Sequence, residues 1–170
     1  MTAREHPLVT STAVQAEIRI YSYQNQILVG SITNSFLEET RYFRDVIEMA
    51  AILERIYDRL SFPQPTQSYR SFRPSAGKRK KYAAQLKAGD GFMNFVPSEL
   101  ENAKDKASFV VHVQFRQHAT WQGNITWVDK GVTQQFRSVL EMIRLMTEAV
   151  ESGDPDQTGF ALPMEKDPDK

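Results

Sequence analysis

Cysteine is absent from this 170-residue chain, which excludes a disulfide framework and any thiolate nucleophile or metal ligand. Long apolar runs are absent too. No stretch approaches the ~18 residues of a membrane-spanning helix, and the opening MTAREHPLVTSTAVQ lacks the apolar core of a signal peptide. An excess of charge of either sign is missing. The 21 Lys and Arg balance 21 Asp and Glu, so no overall field draws the chain to nucleic acid or a membrane surface. The histidines His6, His112 and His118 are scattered at spacings that fit no common zinc motif. No Ser–His–Asp constellation, Walker loop or GxGxxG occurs. Gly89-Asp90-Gly91 is too short for a phosphate loop, and adjacent Glu38 and Glu39 give no reason for paired acid–base action. The expectation is a soluble, cytoplasmic, non-enzymatic protein with no metal and no cofactor.

What the chain does contain is repetition. A shift of 93 positions aligns two stretches, near residues 16–60 and 109–152, without a gap. It places Gln24 on Gln117, Gly30 on Gly123, Ile32 on Ile125, Thr33 on Thr126 and Thr40 on Thr133. It then places FRDVIEM (Phe43 to Met49) on FRSVLEM (Phe136 to Met142). Each copy reads as antiparallel strands followed by a helix. In the second, Phe109, Val111, Val113 and Phe115 alternate with Val110, His112, Gln114 and Arg116, the pattern of a strand with one apolar face. A second strand, ILVGSIT (Ile27 to Thr33) or WQGNITWV (Trp121 to Val128), carries glycine in its middle. That predicts a bulge or a close approach by the packed helix. A turn at Asp129-Lys130-Gly131 leads to a third strand, Val132 to Phe136, with Glu39 to Phe43 as its first-copy counterpart.

Asp45-Val46-Ile47-Glu48 and Ser138-Val139-Leu140-Glu141 are capping boxes. An Asp or Ser oxygen accepts an unpaired backbone N–H, and a Glu three residues on reaches back. Val46, Met49, Leu53, Ile56 and Leu60 form one apolar stripe; Val139, Met142, Met146 and Ala149, widened by Ile143 and Val150, form the other. Each stripe needs a sheet to bury it. The predicted fold is α+β: two tandem copies of an antiparallel β-meander followed by an amphipathic helix, packed as a pseudo-twofold unit. Residues 1–15 and 153–170 flank it as a flexible N-terminus and an acidic, disordered tail, and 61–107 form an insert with short helices.

That insert holds the strongest functional signal. Between Ser61 and Phe95, Arg70, Arg73, Lys78, Arg79, Lys80, Lys81 and Lys87 stand against Asp90 alone, and Tyr69, Phe72, Tyr82, Phe92 and Phe95 interleave them. Cations for phosphates beside rings for stacking suit a nucleic acid or nucleotide. The competing explanation is a solvated linker whose aromatics plug the domain edge. Arg44 and Arg137 each precede a helix N-cap, where a cation is disfavoured by roughly 0.3–1 kcal/mol. Either they make anion sites with the free N–H groups, or they pair with Glu48 and Glu141. Trp121 and Trp127 occur in the second copy alone, on one strand face with Gly123 and Ile125. They are core packing or, if exposed, an interface.

Ala119 to Met142 (ATWQGNITWVDKG…FRSVLEM) and Phe62 to Phe72 (FPQP…YRSF) resemble a group of small uncharacterised bacterial proteins, with a WQG strand followed by an FRS and Leu/Glu-rich helix. The resemblance implies a bacterial source and transfers no activity or site. The leading expectation is a bacterial regulatory or adaptor module binding an anionic ligand through the insert. The alternative is a protein-interaction or self-assembling module, with a protein partner or as a homodimer, using sheet edges or the tryptophan face.

Overall fold

The computed structural model describes residues 14–37, 39–67, 72, 100 and 103–153. They form an α+β fold, one six-stranded antiparallel sheet with two α-helices. The strands are β1 (Gln15–Gln24), β2 (Ile27–Thr33), β3 (Arg41–Phe43), β4 (Ala107–Phe115), β5 (Gln122–Trp127) and β6 (Val132–Phe136). The helices are α1 (Val46–Leu60) and α2 (Val139–Gly153), and a 3-10 turn, Val128–Lys130, joins β5 to β6. Across the sheet the order is β3-β2-β1-β4-β5-β6. The central pair is therefore β1 and β4, and β3 and β6 are the edges. At their junction Glu17 faces Val110, a residue 93 positions later. The expected third strand of the first half is shorter than its sequence suggested, covering Arg41–Phe43 alone.

One face of the sheet is apolar because alternation puts Ala16, Ile18, Ile20, Phe109, Val111 and Val113 on the same side. Met49, Leu53, Ile56 and Leu60 of α1 and Met142, Met146, Ala149 and Val150 of α2 are buried against it. Val46, Val139 and Ile143 pack at the margin, half-buried. Each large apolar side chain fully buried here stabilises the fold by ~1.5–3 kcal/mol.

Both predicted caps form. The Asp45 carboxylate accepts the Glu48 N–H at 2.8 Å, and the Ser138 hydroxyl accepts the Glu141 N–H at 3.1 Å. The returning glutamates reach one residue beyond the cap: Glu48 Oε2 accepts the Arg44 N–H at 3.0 Å, and Glu141 Oε2 accepts the Arg137 N–H at 2.7 Å.

The strand glycines are explained by neighbouring strands rather than by a helix. A Cβ on Gly30 would stand 2.2 Å from the Arg19 carbonyl oxygen and 2.6 Å from the Phe43 ring. A Cβ on Gly123 would stand 2.0 Å from the His112 carbonyl oxygen. Each glycine faces a β-bulge, between Ile20 and Ser22 in β1 and between Val113 and Phe115 in β4. The second bulge overturns the simple alternation of β4. An extra residue reverses which side chain points inward, so Phe115 lies 54% exposed while Arg116 is buried.

Candidate functional site

Two features stand out where side chains converge, and one is a buried ionic cluster. The bulge turns Arg116 under the C-terminal half of α1. There its guanidinium meets Glu54 and Asp58, the latter at 2.7 Å, and donates to the Pro63 carbonyl at 3.3 Å. Trp121 donates its indole N–H to the same Glu54 at 2.8 Å, and the Tyr57 ring meets Trp121 edge-on with centroids 5.6 Å apart. Burial pushes the Tyr57 phenol well above its ordinary range, so it stays neutral. For Arg116, burial opposes the charged form, but the hydrogen bonds and charges of Asp58 and Glu54 more than offset it. Every cation and carboxylate here is committed to a partner within the chain. The cluster ties α1 to the end of β4; it does not present a reactive group.

The other feature is a groove of about 570 Å³ between α2 and the β5–β6 corner of the sheet. Its floor is Phe109, Ile125 and Trp127; β6 contributes Val132 and Gln134, and α2 contributes Leu145, Glu148, Ala149 and Ser152. Lys130 stands on its rim with Nζ 5.8 Å from the Trp127 ring centroid, a cation–π distance. Asp129 fixes the turn below, accepting the Trp127 indole N–H at 3.1 Å and the Ser108 N–H at 2.8 Å. Two of the four α2 residues that line the groove are small, Ala149 and Ser152. Ninety-three positions earlier, Ile56 stands where Ala149 does, Arg59 where Ser152 does, and Leu37 where Lys130 does. Ile56 is buried and Leu37 packs on the core.

β6 borders this groove and is a sheet edge. Its residues Val132, Thr133, Gln134 and Gln135 are exposed, and only Phe136 is buried. No charged residue, proline or bulge interrupts it. The opposite edge, β3, is three residues long and carries Arg41. Short length and charge blunt a sheet edge against pairing; β3 has both, whereas among the described residues β6 is uncharged and paired on one side only.

The residues singled out from the sequence fall into three groups. Tyr69, Arg70, Arg73, Lys78, Arg79, Lys80, Lys81 and Tyr82 lie outside the described residues, while Phe72 is fully exposed. Arg44 and Arg137 pair with the glutamates of their own caps, Arg44 Nε to Glu48 at 3.2 Å and Arg137 to Glu141 at 3.2 Å. Their guanidinium groups stay exposed, and the cap glutamate accounts for the cation beside each helix N-terminus. The tryptophans separate: Trp121 is core at 3% exposure, while Trp127 is half-buried on the groove floor.

Sequence reasoning missed Arg116, Glu54 and Asp58 because a bulge, invisible to alternation, brings them together. The groove had a legible trace, the change from Ile56 to Ala149 between aligned helices. Among the described residues no three His, Asp or Glu side chains gather as a metal site, and no helix is long and apolar enough to cross a membrane. Compared with protein-family models, curated proteins and solved structures, the chain matches none.

Proposed function

We propose that the protein is a non-enzymatic interaction module that takes an extended polypeptide segment along β6 and seats its side chains over Trp127. The observation that carries this reading is the juxtaposition of an uncharged, exposed edge strand with the groove beneath its inner face. A strand added to β6 gains main-chain hydrogen bonds, and its alternate side chains fall on the groove side, where shape gives specificity. Trp127 supplies a rigid apolar floor, and Lys130 and Glu148 line the groove beside it. The anionic-ligand alternative would work through residues 69–82, of which Phe72 alone is described, while β6 and the groove support the interaction reading.

The scaffold of this module is read as two copies of one βββα unit about a pseudo-twofold axis between Glu17 and Val110. Supporting it, each glycine faces its counterpart phenylalanine, Gly30 with Phe43 and Gly123 with Phe136. The bulges and helix bounds also recur 93 residues apart. On this reading the groove belongs to the second copy, where Ala149 stands in the place of the buried Ile56.

Selection of a random-peptide phage library on the full chain tests the function. Enriched peptides are expected to lose at least ~10-fold in affinity on Trp127→Ala, as a central aromatic anchor does. Peptides that bind wild type and Trp127→Ala equally, or no enrichment at all, would overturn the reading.

A further inference from the structure

We infer that the segment taken by β6 is the β6 strand of a second copy of this chain. The inference rests on the interaction reading above and names its partner. β6 is uncharged from Val132 to Phe136, so it can lie against its own copy without opposing like charges, which direct cross-strand neighbours do not tolerate. In the fully overlapped antiparallel register, Gln134 faces Gln134 of the partner subunit, and Thr133 faces the partner's Gln135. The flanking cations are spared as well. Lys130 comes opposite the partner's Ser138, and Arg137 opposite the partner's Gly131, which has open space where a Cβ would stand. Such a register is self-complementary, as a twofold interface requires.

The pairing also completes the groove. Gln134 and Val132 sit at its outer border, where the sheet ends. Paired strands lie ~4.8 Å apart, so the partner's Gln134 extends the floor and walls the groove on its open side. Two six-stranded sheets become one of twelve strands, and Val132, 47% exposed in the single chain, is covered opposite the partner's Phe136. The edge that is uncharged and unpaired among the described residues is covered by its copy. A contact of one short strand belongs to the small, weak class of interfaces.

Sedimentation equilibrium of the full chain from about 10 μM to about 1 mM spans the range in which such small interfaces associate. Wild type is expected to dimerise there. Thr133→Lys with Gln135→Lys sets lysine against lysine twice across the twofold and is expected to remain a monomer. Thr133→Glu with Gln135→Lys sets opposite charges in the same places and is expected to recover the dimer. Recovery by a charge swap belongs to self-pairing in this register and not to loss of folding. Hydrogen exchange of unmodified wild type gives a second measurement, with concentration-dependent protection expected in 132–136. A monomer at every concentration, a lysine variant that dimerises like wild type, no recovery by the charge swap, or protection elsewhere would each overturn the inference. If library peptides still bind in a Trp127-dependent way to a strictly monomeric chain, the self-pairing fails and the module reading stands.

Discussion

The guanidinium of Arg116 reaches the carboxylate of Asp58 at 2.7 Å, joining residues 58 positions apart and fastening α1 to the chain just after β4. Glu54 takes the same guanidinium and the Trp121 indole, so one cation organises two carboxylates and an aromatic pair. Removing one partner of a fully buried ion pair costs ~3–5 kcal/mol. Here the carboxylates keep access to water, with Asp58 half-exposed, so Arg116→Met is expected to cost roughly 2–3 kcal/mol. Asp58→Asn should cost under ~1 kcal/mol, since its side chain is already hydrated. Urea unfolding of the two variants checks both values, and equal costs would show that Asp58 carries more of the cluster than its exposure allows.

Gly30 and Gly123 test the strand–strand approach. An added methyl would overlap a backbone carbonyl at 2.2 Å and 2.0 Å, and a carbonyl held in a ladder cannot rotate away as a side chain can. Overpacking of this kind costs ~1–3 kcal/mol, occasionally more. Gly30→Ala and Gly123→Ala are each expected at or above the top of that range in chemical denaturation. A cost below ~1 kcal/mol would mean that the bulged strands yield more readily than the ladder implies.

Residues with local causes were legible in the sequence. Asp45 and Ser138 announce their helices through cap chemistry, and the stripes from Met49 to Leu60 and from Met142 to Ala149 identify the faces that go inward. The α+β class follows from those stripes and the alternating strands. Arg116 shows where legibility stops. Period-two counting puts it on the polar side of β4, and only the extra residue in the bulge sends it inward. The sequence likewise shows Trp121 and Trp127 on one face, but Glu54 and Tyr57 of α1 cover the first, and the second is half-buried beside the groove. Burial of a residue on a strand depends on what crosses above it, and neither periodicity nor composition carries that information.

The Arg137–Glu141 pair sets a pH dependence. Hydrogen bonds from the Arg137 side chain and backbone, with its charge, hold the Glu141 carboxyl below its ordinary value of 4.5. A carboxyl whose pKa is lowered on folding contributes stability that is fully present above its unfolded pKa and is lost as pH falls through the folded one. Wild type should therefore be more stable than Glu141→Gln at neutral pH, and the difference should close on acidification from about pH 5 to about pH 3. Thermal melts of the two proteins across that range check it. A gap that stays constant would show that the glutamate acts through shape and not charge.

Ala149 separates the groove from the fold that surrounds it. Its position in α2 matches that of Ile56 in α1, where the larger side chain is buried at 3% exposure. Ala149→Ile should extend into the groove over Trp127 without disturbing either strand edge. Filling an opening of this kind commonly adds ~0.5–2 kcal/mol of stability, so the variant is expected to melt higher than wild type. Its Trp127 emission should move to the blue as isoleucine displaces water from the ring. Peptides selected on wild type should lose binding to it by at least ~10-fold, although the protein is better folded. Greater stability with lost binding cannot come from damage to the fold, so the combination assigns recognition to the groove. Binding that survives a filled groove would move recognition to the β6 edge alone, where main-chain pairing needs no space over Trp127.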